Sequence, residues 1–280
     1  MALAPGVPRP TTTVIVATYN QPEVLELCLA GLAAQTDPDF DVIVADDGST
    51  PPVAGRVERL SGELPFRVRV LSQPDQGFRK ARIQNRAALE TPASLLVFLD
   101  GDCIPFRDCI AAYRQRAVGR DFYPGAVTYL DREQTRRLTP ERVWAGEHES
   151  GLRRREALRL WSVHLKNRLH SGGRLSRPRF KGGNFAIDAG LFREVDGFDE
   201  AYCGYGKEDS DLRNRLRNAG ARGRSLWHVA RVCHIAWDRP WGRGRDDPPP
   251  GLYEAGKQRV RARIGLSSHT VLRVSSAARS

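Results

Sequence analysis

Three apolar runs, each ending abruptly in polar side chains, restrict this chain more than anything else in it. They are "TTVIVAT" (residues 12–18), "FDVIVADD" (40–47) and "SLLVFLDGD" (94–102). Each is four to eight residues of mostly β-branched or large apolar side chains without polar alternation, as in strands buried on both faces. Between them lie helical patterns. Pro22 suits a first helical position with Asn20 or Gln21 ahead of it as cap, and Leu25, Cys28, Leu29 and Leu32 form a stripe at i, i+3, i+4, i+7. "FRVRVLSQ" alternates like a further strand, while "RKARIQNRAALE" and "PFRDCIAAYRQRAV" read as helices. The order predicts an α/β fold: one Rossmann-like, mixed but mainly parallel sheet flanked by helices. Ligands of such sheets sit at the carboxyl ends of the strands. Those ends carry Thr18, Tyr19 and Asn20, then Asp46 and Asp47, then Asp100 and Asp102.

Beyond residue 131 the pattern loosens. Residues 139–170 read as one or two basic helices, "SGGRLSRPRFKGG" as a loop, and "DAGLFREV" as a short helix. "GYGKEDSDLRNRLRNAG" (204–220) opens another helix, "RSLWHVARVCHI" reads as a strand, and the Pro/Gly-rich segment from Arg239 as a mobile tail. A length of 280 residues suits one large domain or two small ones. No uncharged apolar run approaches the roughly 18 residues of a membrane span. The start, "MALAPGVPRPTTT", lacks the charge and apolar core of a signal peptide. Five scattered cysteines without CxxC pairs suit a reducing, cytoplasmic setting. The formal net charge is +11, and residues 151–181 hold ten Lys or Arg against Glu156 alone. That face is either solvated or drawn to phosphates: nucleotide, nucleic acid, anionic lipid or an acidic glycan.

Two carboxylates flank Gly101 at the end of a buried strand. In a straight strand, side chains at i and i+2 stand about 6.5–7 Å apart, too far for one ion to bind both. Gly101 permits a bend that lets Asp100 and Asp102 converge, or lets one take a cation and the other a sugar hydroxyl. Hard oxygens of this kind suit Mg2+ or Mn2+. Asp46 and Asp47 repeat the arrangement, and two such pairs on one sheet edge repel unless a cation or a donor-rich ligand lies between them. A histidine completes such a site as a neutral imidazole; chemistry alone does not choose between His228 and His234. Glu208, Asp209 and Asp211 begin a helix, where carboxylates either cap free N–H groups or do chemistry. Asp211 is the expected cap.

In order along residues 12–238, the segments "VIVATYNQPEVLELCLAGLAAQ", "DVIVADDGS", "QGFRKARIQNRA", "VFLDGDC", "FKGGNFAID", "GYGKEDSDLRNRL" and "CHIAWD" resemble glycosyltransferase family two, with its GT-A fold. The second half is similar to galactosyltransferase- and N-acetylgalactosaminyltransferase-like relatives, with Tyr205 where these often carry Trp. The resemblance implies that Thr18, Tyr19 and Asn20 hold base and ribose, that Asp46 and Asp47 lie at the base, and that Arg82 helps hold the nucleotide. It implies that Asp100, with Gly101, and Asp102 bind ribose and a diphosphate-bound Mn2+ or Mg2+, with His234 as third metal ligand. Gly182 and Gly183 then line the sugar site, Asp209 is the catalytic base, and Glu208 contacts a sugar.

Residues 1–131 become the nucleotide-sugar half of one domain, 132–238 its acceptor-binding and catalytic half, and 239–280 a tail. The implied activity is inverting transfer of a hexose from a nucleoside diphosphate sugar, taken as UDP, to a hydroxyl of a glycan or glycolipid, with contact to an anionic membrane as a further expectation. A nucleotidyltransferase would use similar acids but needs a glycine-rich phosphate loop after the first strand, which "ATYNQPE" is not. A nucleic-acid-binding protein using residues 151–181 is the alternative from a different class, and no nucleic-acid fold signature accompanies that face.

Overall fold

The protein is described by a computed structural model that covers residues 9–150, 154–171, 180–204, 206–236 and 251–269. The three apolar runs are neighbouring strands: β1 (Thr12–Thr18), β2 (Asp41–Asp46) and, after β3 (Val68–Ser72), β4 (Leu95–Asp100). Three short strands follow, β5 (Cys103–Pro105), β6 (Phe122–Pro124) and β7 (Ala126–Tyr129), then β8 (Asn184–Asp188) and β9 (Arg231–His234). The main sheet runs β3-β2-β1-β4-β8-β6, with β1 to β4 parallel and β8 antiparallel to both of its neighbours. A small sheet runs β5-β9-β7.

Both faces of the main sheet are covered. Val14 and Val16 point into one core with α1 (Pro22–Ala33), α2 (Ala54–Ser61) and, beyond α3 (Lys80–Leu89), α4 (Cys109–Arg116). Ile15, between them, points the other way, toward α3. This alternation is the period-two geometry of a strand with two buried faces. Three short helices, α5 (Arg132–Arg136), α6 (Pro140–Trp144) and α7 (Glu147–Ser150), lead into the long α8 (Arg154–Ser171). The second core is completed by α9 (Ala189–Glu194) and α10 (Glu208–Asn218), whose Leu212 and Leu216 are fully buried. Each such leucine contributes about 1.5–3 kcal/mol of burial.

Several sequence expectations change. The helix α2 was not anticipated, although parallel β2 and β3 need a crossover. It is short, flanked by Pro and Gly, and buries only Val57. The strand expected over "RSLWHVARVCHI" shrinks to Arg231–His234; Trp227–Val229 turn instead, with the Val229 and Ala230 N–H groups donating to the Leu226 carbonyl. Residues 251–269, read as part of a mobile tail, dock on the domain through α11 (Leu252–Gly256), buried Leu252 and Leu266, and bonds from Asn218 Nδ2 to the Lys257 and Arg259 carbonyls. Residues 239–250 and 270–280 lie outside the described residues, as do Tyr205 and residues 172–179 of the expected loop.

Buried Asn184 joins the two sheets. Its Oδ1 accepts from Tyr113 Oη at 2.8 Å, and its Nδ2 donates to the carbonyls of Ala126 and Ala230 at 3.0 and 3.2 Å. Satisfied buried amides of this kind fix one arrangement, because breaking any bond leaves an orphan.

Candidate active site

Strand register levels the polar ends. Thr18 pairs with Asp46 and Ala17 with Asp100, so the carboxyl ends of β1, β2 and β4 share one sheet edge. On the far side of β4, Leu99 pairs with Asn184, bringing Gly182 and Gly183 beside Asp100. In the small sheet, His234 pairs with Cys103 and with Tyr129, and the Ile235 N–H donates to the Asp102 carbonyl at 3.1 Å. Together with the start of α10 these edges enclose a cavity of about 380 Å³.

Of the predicted residues, Thr18, Tyr19, Asp47, Asp100, Gly101, Asp102, Gly182, Gly183, Glu208, Asp209 and His234 all line that cavity. Asp102 and Asp209, more than a hundred positions apart, therefore face the same space. Thr18 Oγ1 and Glu208 Oε2 are buried there without a hydrogen-bond partner. Unsatisfied buried polar atoms are costly, and these two face the cavity, where a water, an ion or a ligand can meet them.

Three predicted residues do not line it. Asp46 is spent on its own turn: Oδ1 accepts from the Ser49 N–H at 3.0 Å and from Ser49 Oγ at 2.5 Å, and Oδ2 from Ser72 Oγ at 3.0 Å. Asn20 sits at φ 51°, its Oδ1 accepting from the Thr50 N–H at 2.7 Å. Asn tolerates this left-handed backbone, so its part is to turn the chain. Arg82 lies outside, reaching Gln76 at 3.5 Å. Two positions earlier, and about half a turn round α3, Lys80 enters the cavity instead and pairs with Asp100 Oδ1. Burial pulls the Lys80 ammonium down, but Asp100, Glu208 and Asp209 outweigh it and the net shift is upward, so it stays charged. Asp211 is also corrected. It is no cap but a fully buried ion pair with Arg215 Nε at 2.6 Å, and it accepts from Tyr202 Oη at 3.3 Å. Four residues into the helix, Asp211 has turned toward the core.

The remaining acids differ in environment. Asp47 accepts from Gln73 Nε2 at 2.6 Å and from the Arg79 N–H at 2.8 Å. Burial dominates and pushes its carboxyl up to about 6. Burial also raises Glu208, to about 7, against the pull of Lys80. Asp209 is half-buried, and its Oδ2 accepts from the Gly182 N–H at 2.9 Å. A Cβ on Gly183 would stand 3.0 Å from Asp100 Oδ2 and 3.2 Å from Cys103 Sγ, so any larger residue would have to push the Asp100 carboxylate or the Cys103 thiol aside. Burial, with Asp102 and Asp100 adding to it, holds the Cys103 thiol well above its ordinary range and hence neutral.

His234 Nε2 lies 3.2 Å from Asp102 Oδ2, and its Nδ1 lies 2.7 Å from the Ile235 carbonyl. The carbonyl can only accept, so Nδ1 carries a proton; the charged ring donates from Nε2 to Asp102, and the neutral ring turns its Nε2 lone pair to the same place, as a metal ligand requires. Burial depresses the imidazole, but Asp102 outweighs it and the net shift is upward. His228 is elsewhere, its ring 3.8 Å from that of His164.

The profile for glycosyl transferase family 2 matches residues 13–179, more than half of the chain. The chain belongs to glycosyl transferase family 2. A second profile, described as the N-terminal domain of galactosyltransferase, matches residues 164–237 of this family 2 chain. Validoxylamine A glucosyltransferase of Streptomyces hygroscopicus subsp. jinggangensis is 30% identical over 222 residues, covering 75% of this chain and 52% of the relative. Chondroitin synthase of Escherichia coli is 26% identical over 231 residues, covering 76% and 33%. The chain thus spans about half, or less, of the curated relatives it matches. Among solved structures, the mannosyltransferase PcManGT of Pyrobaculum calidifontis, in complex with GDP-Man and Mn2+, superposes with a TM-score of 0.58 at 22% identity, covering 84% of this chain and 59% of that one. S. aureus TarS in complex with UDP-GlcNAc gives 0.55 at 17% identity, covering 82% and 59%. The family 2 chain has the GT-A fold that its sequence predicted. Among its described residues no helix is long and apolar enough to cross a membrane.

Proposed function

We propose that this family 2 chain is an inverting hexosyltransferase that moves a sugar from a nucleoside diphosphate sugar to a hydroxyl of a glycan or glycolipid. One observation carries the reading: Asp102 with His234 and Glu208 with Asp209 face one cavity of about 380 Å³. Donor binding falls to Thr18, Tyr19, Asp47 and Lys80, with Asp47 accepting from the base and the orphan Thr18 hydroxyl meeting a ribose or phosphate oxygen. The donor thus rests mainly on residues 1–131 and the acceptor on 132–238. UDP is taken as the nucleotide in line with the UDP-GlcNAc complex of one solved relative. The GDP-Man complex of another makes the base the first thing to test. Five free thiols suit a reducing, cytoplasmic setting.

A divalent cation fits the residues present. Among the described residues, no three His, Cys, Asp or Glu side chains gather closely enough to hold a metal alone. The oriented His234 imidazole beside the Asp102 carboxylate is a mixed N/O donor pair that suits Mn2+. Cations of this class take one or two protein carboxylates and complete their shell with substrate phosphates and water. Asp102 and His234 would hold it, with Asp100 beside them partly neutralised by Lys80. Held by these residues, such an ion would supply Lewis-acid neutralisation of the departing diphosphate.

The chain's own groups do the rest. Lys80 brings a second positive charge to the diphosphate. Asp209, anchored through Oδ2 by Gly182, has its other oxygen for the acceptor hydroxyl. As the bond from the acceptor oxygen to the anomeric carbon forms, the bond to the diphosphate oxygen breaks, and the hydroxyl proton passes to Asp209. Attack opposite the leaving group inverts the centre. The test is a thermal-shift panel of sugar nucleotides with Mn2+ or EDTA, followed by turnover. A donor that raises Tm only with Mn2+ is expected. Asp209→Asn should keep that shift and lose about 100-fold or more in kcat. If no sugar nucleotide shifts Tm the reading fails; if Asp209→Asn turns over normally, the base is another group.

A further inference from the structure

The helix α8 has two apolar faces. Leu160, Val163, His164 and Asn167 are buried against the domain, where Leu160 and Val163 pack with Trp227 and Ala126. At about 100° per residue these four positions span one side of the helix. Leu158, Trp161, Leu165 and Leu169 fall on the opposite side, within an arc of about 80° and a length of about 16 Å. They are 71%, 59%, 51% and 40% exposed. Single exposed leucines are ordinary, but a contiguous stripe of four large apolar side chains marks a contact surface. Exposed basic residues flank it: Arg155, Arg159 and Lys166 on one side, Arg168 on the other. Glu156 is the one acid of the helix.

We propose that α8 lies in the surface of an anionic lipid bilayer, with Leu158, Trp161, Leu165 and Leu169 in the acyl boundary and the four cations at the headgroups. The charge pattern selects this occupant. In a two-fold contact with a second copy, both cationic flanks would meet like charge. Single-stranded nucleic acid would reward stacked aromatic rings, and three of the four stripe residues are leucines. A bilayer rewards both components, apolar insertion and cations at anionic headgroups, and Trp sits well at the boundary. The surface does not depend on the catalytic reading. It adds that a lipid-linked acceptor would reach the enzyme in the plane of a membrane.

The test is sedimentation of the whole chain with vesicles of phosphatidylcholine, with and without phosphatidylglycerol, at physiological salt. Binding is expected only with phosphatidylglycerol, with a blue shift of Trp emission that Trp161→Phe removes. Leu158→Ser with Leu165→Ser should weaken partitioning at least about tenfold, from the apolar area withdrawn. Arg159→Gln with Lys166→Gln should weaken it about 25-fold, near fivefold per basic residue. All four positions are exposed, so folding is retained, checked by an unchanged Tm and unchanged hydrolysis of a soluble donor. No binding to anionic vesicles overturns the proposal. So does a dimer in solution that the two serines dissolve, or tighter binding to single-stranded RNA than to vesicles.

Discussion

Replacing Asp47 by Asn isolates the cost of keeping a charge in this cavity. Asp47 is 5% exposed, and its folded-state carboxyl lies at about 6. The unfolded chain has it near 3.9, so the shift is about 2 units, or about 3 kcal/mol at 1.36 kcal/mol per unit. The direction matters. A raised acid holds its proton longer in the native state, so between roughly pH 4 and pH 6 the native protein binds more protons and loses stability as pH rises. The contribution of the neutral form is complete below about pH 4 and gone above about pH 6. Asn resembles the neutral acid: one oxygen for Gln73 or the Arg79 N–H, and no charge. Asp47→Asn should therefore stabilise the free protein by about 3 kcal/mol near pH 8, about 6 °C in Tm for a chain of this size, and by about nothing near pH 4. Calorimetry at both pH values reads this directly. An equal offset at the two pH values, or destabilisation at the higher one, would refute the reasoning. In the proposed function the same change removes a charged acceptor, so binding of the nucleoside diphosphate alone should weaken about tenfold or more.

Other substitutions probe other parts of the structure. His234→Ala should raise the Mn2+ concentration for half-activation by about tenfold or more while leaving circular dichroism unchanged. Gly125→Ala places a Cβ 2.2 Å from Tyr113 Oη and 2.4 Å from Asn184 Nδ2, at the joint of the two sheets; overpacking there should cost about 3 kcal/mol, read as a lower urea midpoint. Arg215→Met strands the fully buried Asp211 carboxylate and should cost about 3–5 kcal/mol, whereas Arg215→Met with Asp211→Leu should recover much of the loss.

The sequence by itself determined the layered frame and the edge that carries the site. Runs such as residues 14–17 and 95–99 are apolar on both faces and, at this length with β-branched side chains, read as central strands, and a strand buried along its length must put its polar residues at its end. What it did not determine was direction at the scale of one residue. Asp46 and Asp47 are equivalent in the sequence, yet one ties its own turn and the other faces the cavity. Lys80 and Arg82 are both basic residues at the start of α3; two steps on a helix turn a side chain by about 200°, and only Lys80 reaches Asp100. The same rotation buries Asp211 while Asp209 stays in the cavity. His228 and His234 are chemically alike, and the pairing of β9 with β5 and β7 decides that His234 meets Asp102. Those choices rest on contacts between residues far apart in the chain, such as Asn184 with Tyr113, and on backbone approaches such as Gly183 to Asp100. Patterns of polarity fix which segments are strands and helices because burial acts on each segment separately. Which of two adjacent side chains enters the cavity is fixed only when separate segments lock into register, which is a property of the packed whole.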